Sequence, residues 1–91
     1  MKERELERVL KALANRRRLA IIGLLHKEKE KSVGEIADNI KLSFRATSKH
    51  LSVLMNADIL EREQRSLQMF YSLNNNASNK IKQLLRTLFV V

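Results

Sequence analysis

The apolar residues of this chain keep two different periods, and the order in which those periods follow one another restricts the fold more than any other feature. Leu6, Val9, Leu10 and Leu13 recur at i, i+3, i+4 and i+7, which is one stripe of an α-helix, so residues 3–14 are expected to be helical. Asn15 suits the cap of a second helix running through RRRLAIIGLLHK. That helix is apolar nearly all round from Leu19 to Leu25, which predicts a place at the centre of the core. KEKEK then reads as a solvated connection. Ser32 with Glu35 three residues later forms a capping box, ahead of a short third helix whose stripe is Val33, Ile36, Ala37 and Ile40. Ser43 suits the cap of a fourth helix over 43–56, with Thr47, Leu51, Leu54 and Met55 along its inner side.

Past residue 57 the period falls to two. ILERE and QMFYSL are short and β-prone, and the polar residues Gln64 to Ser66 between them predict a hairpin turn. NNNAS breaks the chain, and Ile81, Leu84, Leu85, Leu88 and Phe89 mark a last amphipathic helix over 78–90. With two glycines and no proline, the punctuation falls to Asn, Ser and Asp. Helices, then a tight turn between the third and fourth, then a hairpin: the order predicts a winged helix-turn-helix, mainly α with a small β-hairpin, about five helices plus the wing, as one domain over 1–91.

Composition narrows the partner. The chain carries net charge +8 with pI ≈ 10.3, and so basic a small domain points to a polyanion. There is no cysteine, so disulfides and thiolate metal sites are excluded. The longest apolar run, LAIIGLL, is far short of a membrane span, and MKERELER lacks the apolar stretch of a signal peptide. A soluble, intracellular protein is expected.

LSFRATSKHLSVL, residues 42–54, makes the polyanion specific. A helix in the major groove must offer hydrogen-bonding groups to base edges and no carboxylates to phosphates, and from Asn39 to Ala57 there is no acidic residue. The residues expected to contact double-stranded DNA are Ser43, Phe44, Arg45, Thr47, Ser48, Lys49 and Ser52 on this helix, with Arg62, Gln64 and Arg65 in the wing. The open N–H groups near Ser43 and Phe44 form an anion site. The hairpin is the weaker electrostatic element: over 57–73, two arginines stand against Asp58, Glu61 and Glu63, a net of −1. His50 is expected to be a partly buried, hydrogen-bonded histidine, and His26 a cation suited to a helix C-terminus. Arg16, Arg17 and Arg18 oppose the dipole of the helix they open, so either phosphate contact or a structural role must account for them.

The stretches LKALANRRRLAIIGLL, VGEIADNIKLSFRATSKHLSVLMNADIL and FYSLN, in this order and spacing, resemble the small ArsR-type bacterial and archaeal repressors over nearly the whole chain. The resemblance implies a dimeric repressor that inserts one recognition helix per subunit into DNA, in the prokaryotic cytoplasm and in association with the nucleoid. Three departures stand out. Lys41 occupies the usual turn glycine, Asp58 and Ile59 alter the small-residue exit from helix four, and Ser32 and Gly34 replace the Cys-x-Cys pair of the metal sensors. Residues 64–91 contain neither Asp nor His, which removes the family's other metal set, so no metal and no cofactor is expected.

The dimer is expected to bury two stripes left over from the winged-helix core: Leu6, Val9, Leu10 and Leu13 at one end of the chain, and Ile81, Leu84, Leu85 and Leu88 at the other. The operator should then be an inverted repeat. An enzyme is disfavoured, for no nucleophile–base pair, phosphate loop or carboxylate pair appears. A winged-helix module used only for protein contacts is the rival, and it predicts acids scattered over helix four. Membrane-surface binding by the basic last helix is a third possibility, weaker because pairing with helix one explains its stripe.

Overall fold

The computed structural model of the chain describes residues 2–89. Its elements are α1 (Glu3–Leu13), α2 (Arg16–Glu28), β1 (Glu30–Ser32), α3 (Val33–Ile40), α4 (Phe44–Asn56), β2 (Leu60–Arg65), β3 (Gln68–Leu73) and α5 (Asn79–Phe89). Each helix start follows from a local hydrogen-bonding side chain, apart from α1, which relies on Glu3 and Glu5 at its positive end. Asn15 accepts from the Arg18 N–H at 3.1 Å, Ser43 Oγ from the Ala46 N–H at 3.1 Å, and Ser78 Oγ from the Ile81 N–H at 3.3 Å. The capping box is complete: the Ser32 N–H donates to Glu35 Oε1 at 2.9 Å, and the Glu35 N–H donates to Ser32 Oγ at 3.3 Å. The bond from the Ser32 N–H first, and the Ser32 hydroxyl after it, hold the Glu35 carboxyl below its ordinary pKa. The last expected helical residue of α5, Val90, lies outside the described residues.

The KEKEK connection is not simply a solvated run. Glu30, Lys31 and Ser32 pair antiparallel with Ser72, Tyr71 and Phe70, giving a three-stranded sheet in the order β1-β3-β2. The hairpin turn also falls two residues later than the sequence implies, because Gln64 and Arg65 still pair with Met69 and Gln68. The turn is Ser66–Leu67, with Ser66 at φ 56° and Leu67 97% exposed.

At the core lie Ile21, Ile22, Leu25, Ile36, Leu51, Leu54, Ile59 and Leu60, all fully buried. The second helix is less central than its composition suggests: Leu19 and Ala20 are exposed, so one side of α2 is open to solvent. Lys41 takes the left-handed conformation expected of the glycine it replaces, φ 55° and ψ 52°. The Leu42 N–H closes the turn onto the Ala37 carbonyl at 3.1 Å. A β-carbon in that region costs roughly 1 kcal/mol relative to glycine, which the packing of α3 against α4 must offset.

Candidate nucleic-acid interface

α4 has two sides with opposite chemistry. Thr47, Leu51 and Leu54 are buried and seat the helix. Arg45, Lys49, Ser52 and Asn56, at successive spacings of four, three and four, are all exposed. Ser48 is half-buried at the border, and Phe44 stands 63% exposed at the helix start. The N–H groups of the first turn have no intrahelical acceptor, so the positive end of the helix opens beside Phe44 and Arg45. Among the described residues, neither Arg45 nor Lys49 joins an ion pair. The face is therefore a set of uncompensated cations and hydroxyls.

Thr47 is a correction. It was expected among the DNA contacts, but it is fully buried and its Oγ1 has no hydrogen-bond partner. At 100° per residue it falls in line with Leu51 and Leu54 rather than with Arg45. Val53, 39% exposed and four residues after Lys49, takes a place on the outer side that was not anticipated; its spacing from Lys49 was the available signal.

The three cations that open α2 have different fates. Arg17 Nη1 donates to the Ile40 carbonyl at 2.6 Å, at the end of α3. Arg18 donates through Nε to the Ala12 carbonyl at 2.6 Å and through Nη2 to the Lys11 carbonyl at 3.0 Å, both in the last turn of α1. Cations that oppose the dipole of their own helix thus satisfy the negative ends of two others. Arg18 Nη1 also lies 3.2 Å from His50 Nδ1 on α4. A guanidinium can only donate, so His50 is neutral with its proton on Nε2. Burial, then the Arg18 and Arg17 charges, push the His50 pKa down. Arg16 alone is left exposed.

The register divides the wing. Leu60, Arg62 and Gln64 share one face of β2, and Glu61, Glu63 and Arg65 share the other. Because Leu60 is in the core, Arg62 and Gln64 lie on the helix side of the sheet and Arg65 on its outer side. Arg62 is exposed and among the described residues makes no ion pair. Arg65 is fully engaged: Nη1 and Nη2 donate to both oxygens of Glu30, Nε donates to Glu63, and the guanidinium stacks 4.8 Å over the Phe70 ring. Glu30, and after it Glu63, raise the Arg65 pKa; in return the bond from Arg65 lowers that of Glu30. The expected wing contacts are therefore not one cluster.

Residues 15–62, from the cap of α2 into β2, match the sequence profile of the bacterial regulatory proteins of the arsR family. The chain belongs to the ArsR family. It is similar to the transcriptional activator HlyU of Vibrio cholerae, 35% identical over 89% of this chain and 74% of HlyU. It is also similar to the transcriptional repressor PagR of Bacillus anthracis, 34% identical over 88% of this chain and 80% of PagR. The structure of Vibrio cholerae HlyU superposes with a TM-score of 0.81 at 32% identity, covering 97% of this chain and 94% of that one. The homodimeric winged helix-turn-helix DNA-binding domain Mb0332 of Mycobacterium bovis superposes at 0.79 with 28% identity, over 92% and 74% of the respective chains. The expected winged helix-turn-helix is the fold found.

In this ArsR-family chain the two terminal stripes split. Val9, Leu13 and Ile81 are buried within the single chain, and Leu84 and Leu85 pack partly against its core. Helices two to four and the hairpin do not fill the core by themselves, so α1 and α5 each supply part of it. The apolar surface left open is Leu6 at 42%, Leu10 at 49% and Leu88 at 54% exposure. Val9, Leu13 and Ile81 therefore drop out of the expected dimer contacts. Ser32, at a position where metal-sensing relatives were expected to carry a thiolate, is instead the cap of α3. Among the described residues no group of three His, Cys, Asp or Glu converges as a metal set, and no helix is long and apolar enough to cross a membrane.

Proposed function

We propose that this chain is a homodimeric transcriptional repressor that reads an inverted-repeat operator in double-stranded DNA by placing α4 of each protomer in the major groove. The observation that supports it most is the acid-free outer side of α4, where Arg45, Lys49, Ser52 and Asn56 are exposed on a helix anchored by Leu51 and Leu54. Arg45 suits guanine edges or phosphate, Ser48 and Ser52 suit either, and Ser43 with Phe44 opens the helix end to a backbone phosphate. Arg62 and Gln64 extend the contact on the wing's helix side. A module specialised for protein contacts would not need to exclude carboxylates from the nineteen residues around this helix, Asn39 to Ala57. Function through DNA places the protein at the nucleoid.

Leu6, Leu10 and Leu88, with half-buried Leu84, form the twofold contact. Two recognition helices related by that axis reach successive major grooves, so half-site centres lie roughly 34–36 Å apart, or about 10–10.5 base pairs or a multiple of it. Repression needs only occupancy of a promoter, since a bound dimer excludes polymerase.

A gel shift against the DNA upstream of the protein's own gene, in excess unrelated competitor, tests this. One complex with two protomers per site is expected; equal binding to unrelated DNA would overturn the reading. The doubly substituted Leu10→Glu, Leu88→Glu chain should scatter light as a monomer and lose the complex.

A further inference from the structure

A cavity of about 320 Å³ lies between α2, the β3–α5 connection and α5, at the small end of the roughly 300–1,000 Å³ span of small-molecule sites. Ile22, Leu73, Leu85 and Phe89 supply its apolar walls, and His26, Lys82 and Arg86 bring nitrogen to it. Its charge is one-sided. No carboxylate lines it, and residues 64–91 contain no Asp or Glu. The larger neighbouring cavity beside the wing is different, because Glu30, Glu61 and Glu63 line it along with its cations.

The fold accounts for Arg86 in part, as a cation in the last turn of α5, but not for Lys82 or for the pairing of the two. Lys82 and Arg86 stand at i and i+4 of α5, where like charges destabilise a helix, and Lys82 is near the helix N-terminal end, where the dipole disfavours it. Lys82 is half-buried. Among the described residues neither it nor Arg86 has a carboxylate partner. A cation pair without a carboxylate, set beside apolar walls, is relieved by an anion held between its members.

We propose that this cavity binds a small organic monocarboxylate with an apolar body, its carboxylate between Lys82 and Arg86 and its hydrocarbon along Ile22, Leu85 and Phe89. The inference does not depend on the DNA reading, because the binding is measured without DNA.

Titration calorimetry of the full chain with octanoate, octan-1-ol and acetate separates the contributions of charge and apolar body. Octanoate should bind one per chain, acetate should not bind at the same concentrations, and octan-1-ol should bind roughly ten-fold more weakly or worse, for want of a charge-assisted contact. The double variant Lys82→Gln, Arg86→Gln should lose roughly the same factor for octanoate. Its binding of octan-1-ol should not change, and a melting curve like the wild type's would show the fold intact. Amide shifts induced by octanoate should centre on Ile22, Leu73 and Leu85. Octanoate that fails to bind, that binds no better than the alcohol, or that ignores the double variant overturns the proposal. So does acetate binding alone, or co-sedimentation with phosphatidylglycerol vesicles in a protein that takes up no octanoate.

Discussion

α4 and the wing each hold two cations, yet α4 leaves both free, while the wing leaves Arg62 free and ties up Arg65. Arg45 and Lys49 stand on a helix with no carboxylate within its own length, whereas Arg65 is wrapped by Glu30 and Glu63 and stacked on Phe70. Each arginine carries the same formal charge, but the free energy of handing it to a phosphate differs. An arginine already in a bidentate carboxylate pair must give up one charge-assisted contact to gain another, while Arg45 gives up only water. The net charge of +8 therefore overstates what the wing can offer and describes α4 better.

Removing each cation should expose that difference most strongly. Arg45→Ala is expected to weaken operator binding by roughly 1–3 kcal/mol with relaxed preference at one base position, and Lys49→Ala to lower the salt slope by about 1. Arg65→Ala should cost less than either, since its loss from the DNA is offset by the pair it no longer breaks. Fluorescence anisotropy across a salt series reads all three. An Arg65→Ala effect equal to that of Arg45→Ala would erase the contrast between the two regions.

The inner side of α4 gives the next largest effect. Thr47 Oγ1 is buried without a partner, and such a hydroxyl costs about 1–3 kcal/mol of desolvation. Thr47→Val keeps the β-branched shape and removes the hydroxyl, so the chain should gain about 1 kcal/mol against urea with operator affinity unchanged. Affinity lost along with the hydroxyl would return Thr47 to the interface.

Much of this was legible in local chemistry. Ser32 with Glu35 and Ser43 before Phe44 are caps whose hydrogen bonds close within one turn, so a single sequence contains both partners. Features that depend on a distant partner were not legible. β1 has no apolar signal of its own and exists because β3 offers it an edge. Arg17 and Arg18 find carbonyls at the ends of α3 and α1, and Glu30 and Arg65 are 35 residues apart. The stripes of α1 and α5 were visible, but their division between the chain's own core and open surface was not, because helical spacing shows that a face is apolar and not what covers it.

The carboxylates of the wing predict a smaller, opposite effect. Glu30→Gln removes the bidentate partner of Arg65 and frees its guanidinium. Operator affinity should rise a few-fold at low salt, with a slope steeper by up to about 1 if Arg65 then reaches a phosphate. A reduced affinity would mean that the Glu30–Arg65 pair orders the wing for DNA instead of restraining its charge.

The smallest effect is a pH dependence that belongs to α4 through its contact with α2. His50 is neutral and accepts from Arg18, and burial, Arg18 and Arg17 hold its pKa below the ordinary 6.5. The unfolded chain therefore takes up a proton at His50 before the folded chain does. Stability should be complete above about pH 6.5 and decline as pH falls from there toward the folded pKa. Glu30 and Glu35 are likewise held below their ordinary value, which is 4.5, so the stability they add is lost only at lower pH and does not overlap the upper part of this window. His50→Gln keeps an acceptor facing Arg18 and cannot protonate. Its melting temperature should change less than the wild type's between about pH 6.5 and pH 5, and the same pair measured above pH 7 should differ little in pH response. Parallel curves for the two proteins across that range would show that Arg18 does not hold His50 neutral, and the tie between α2 and the reading helix would lose its charge argument.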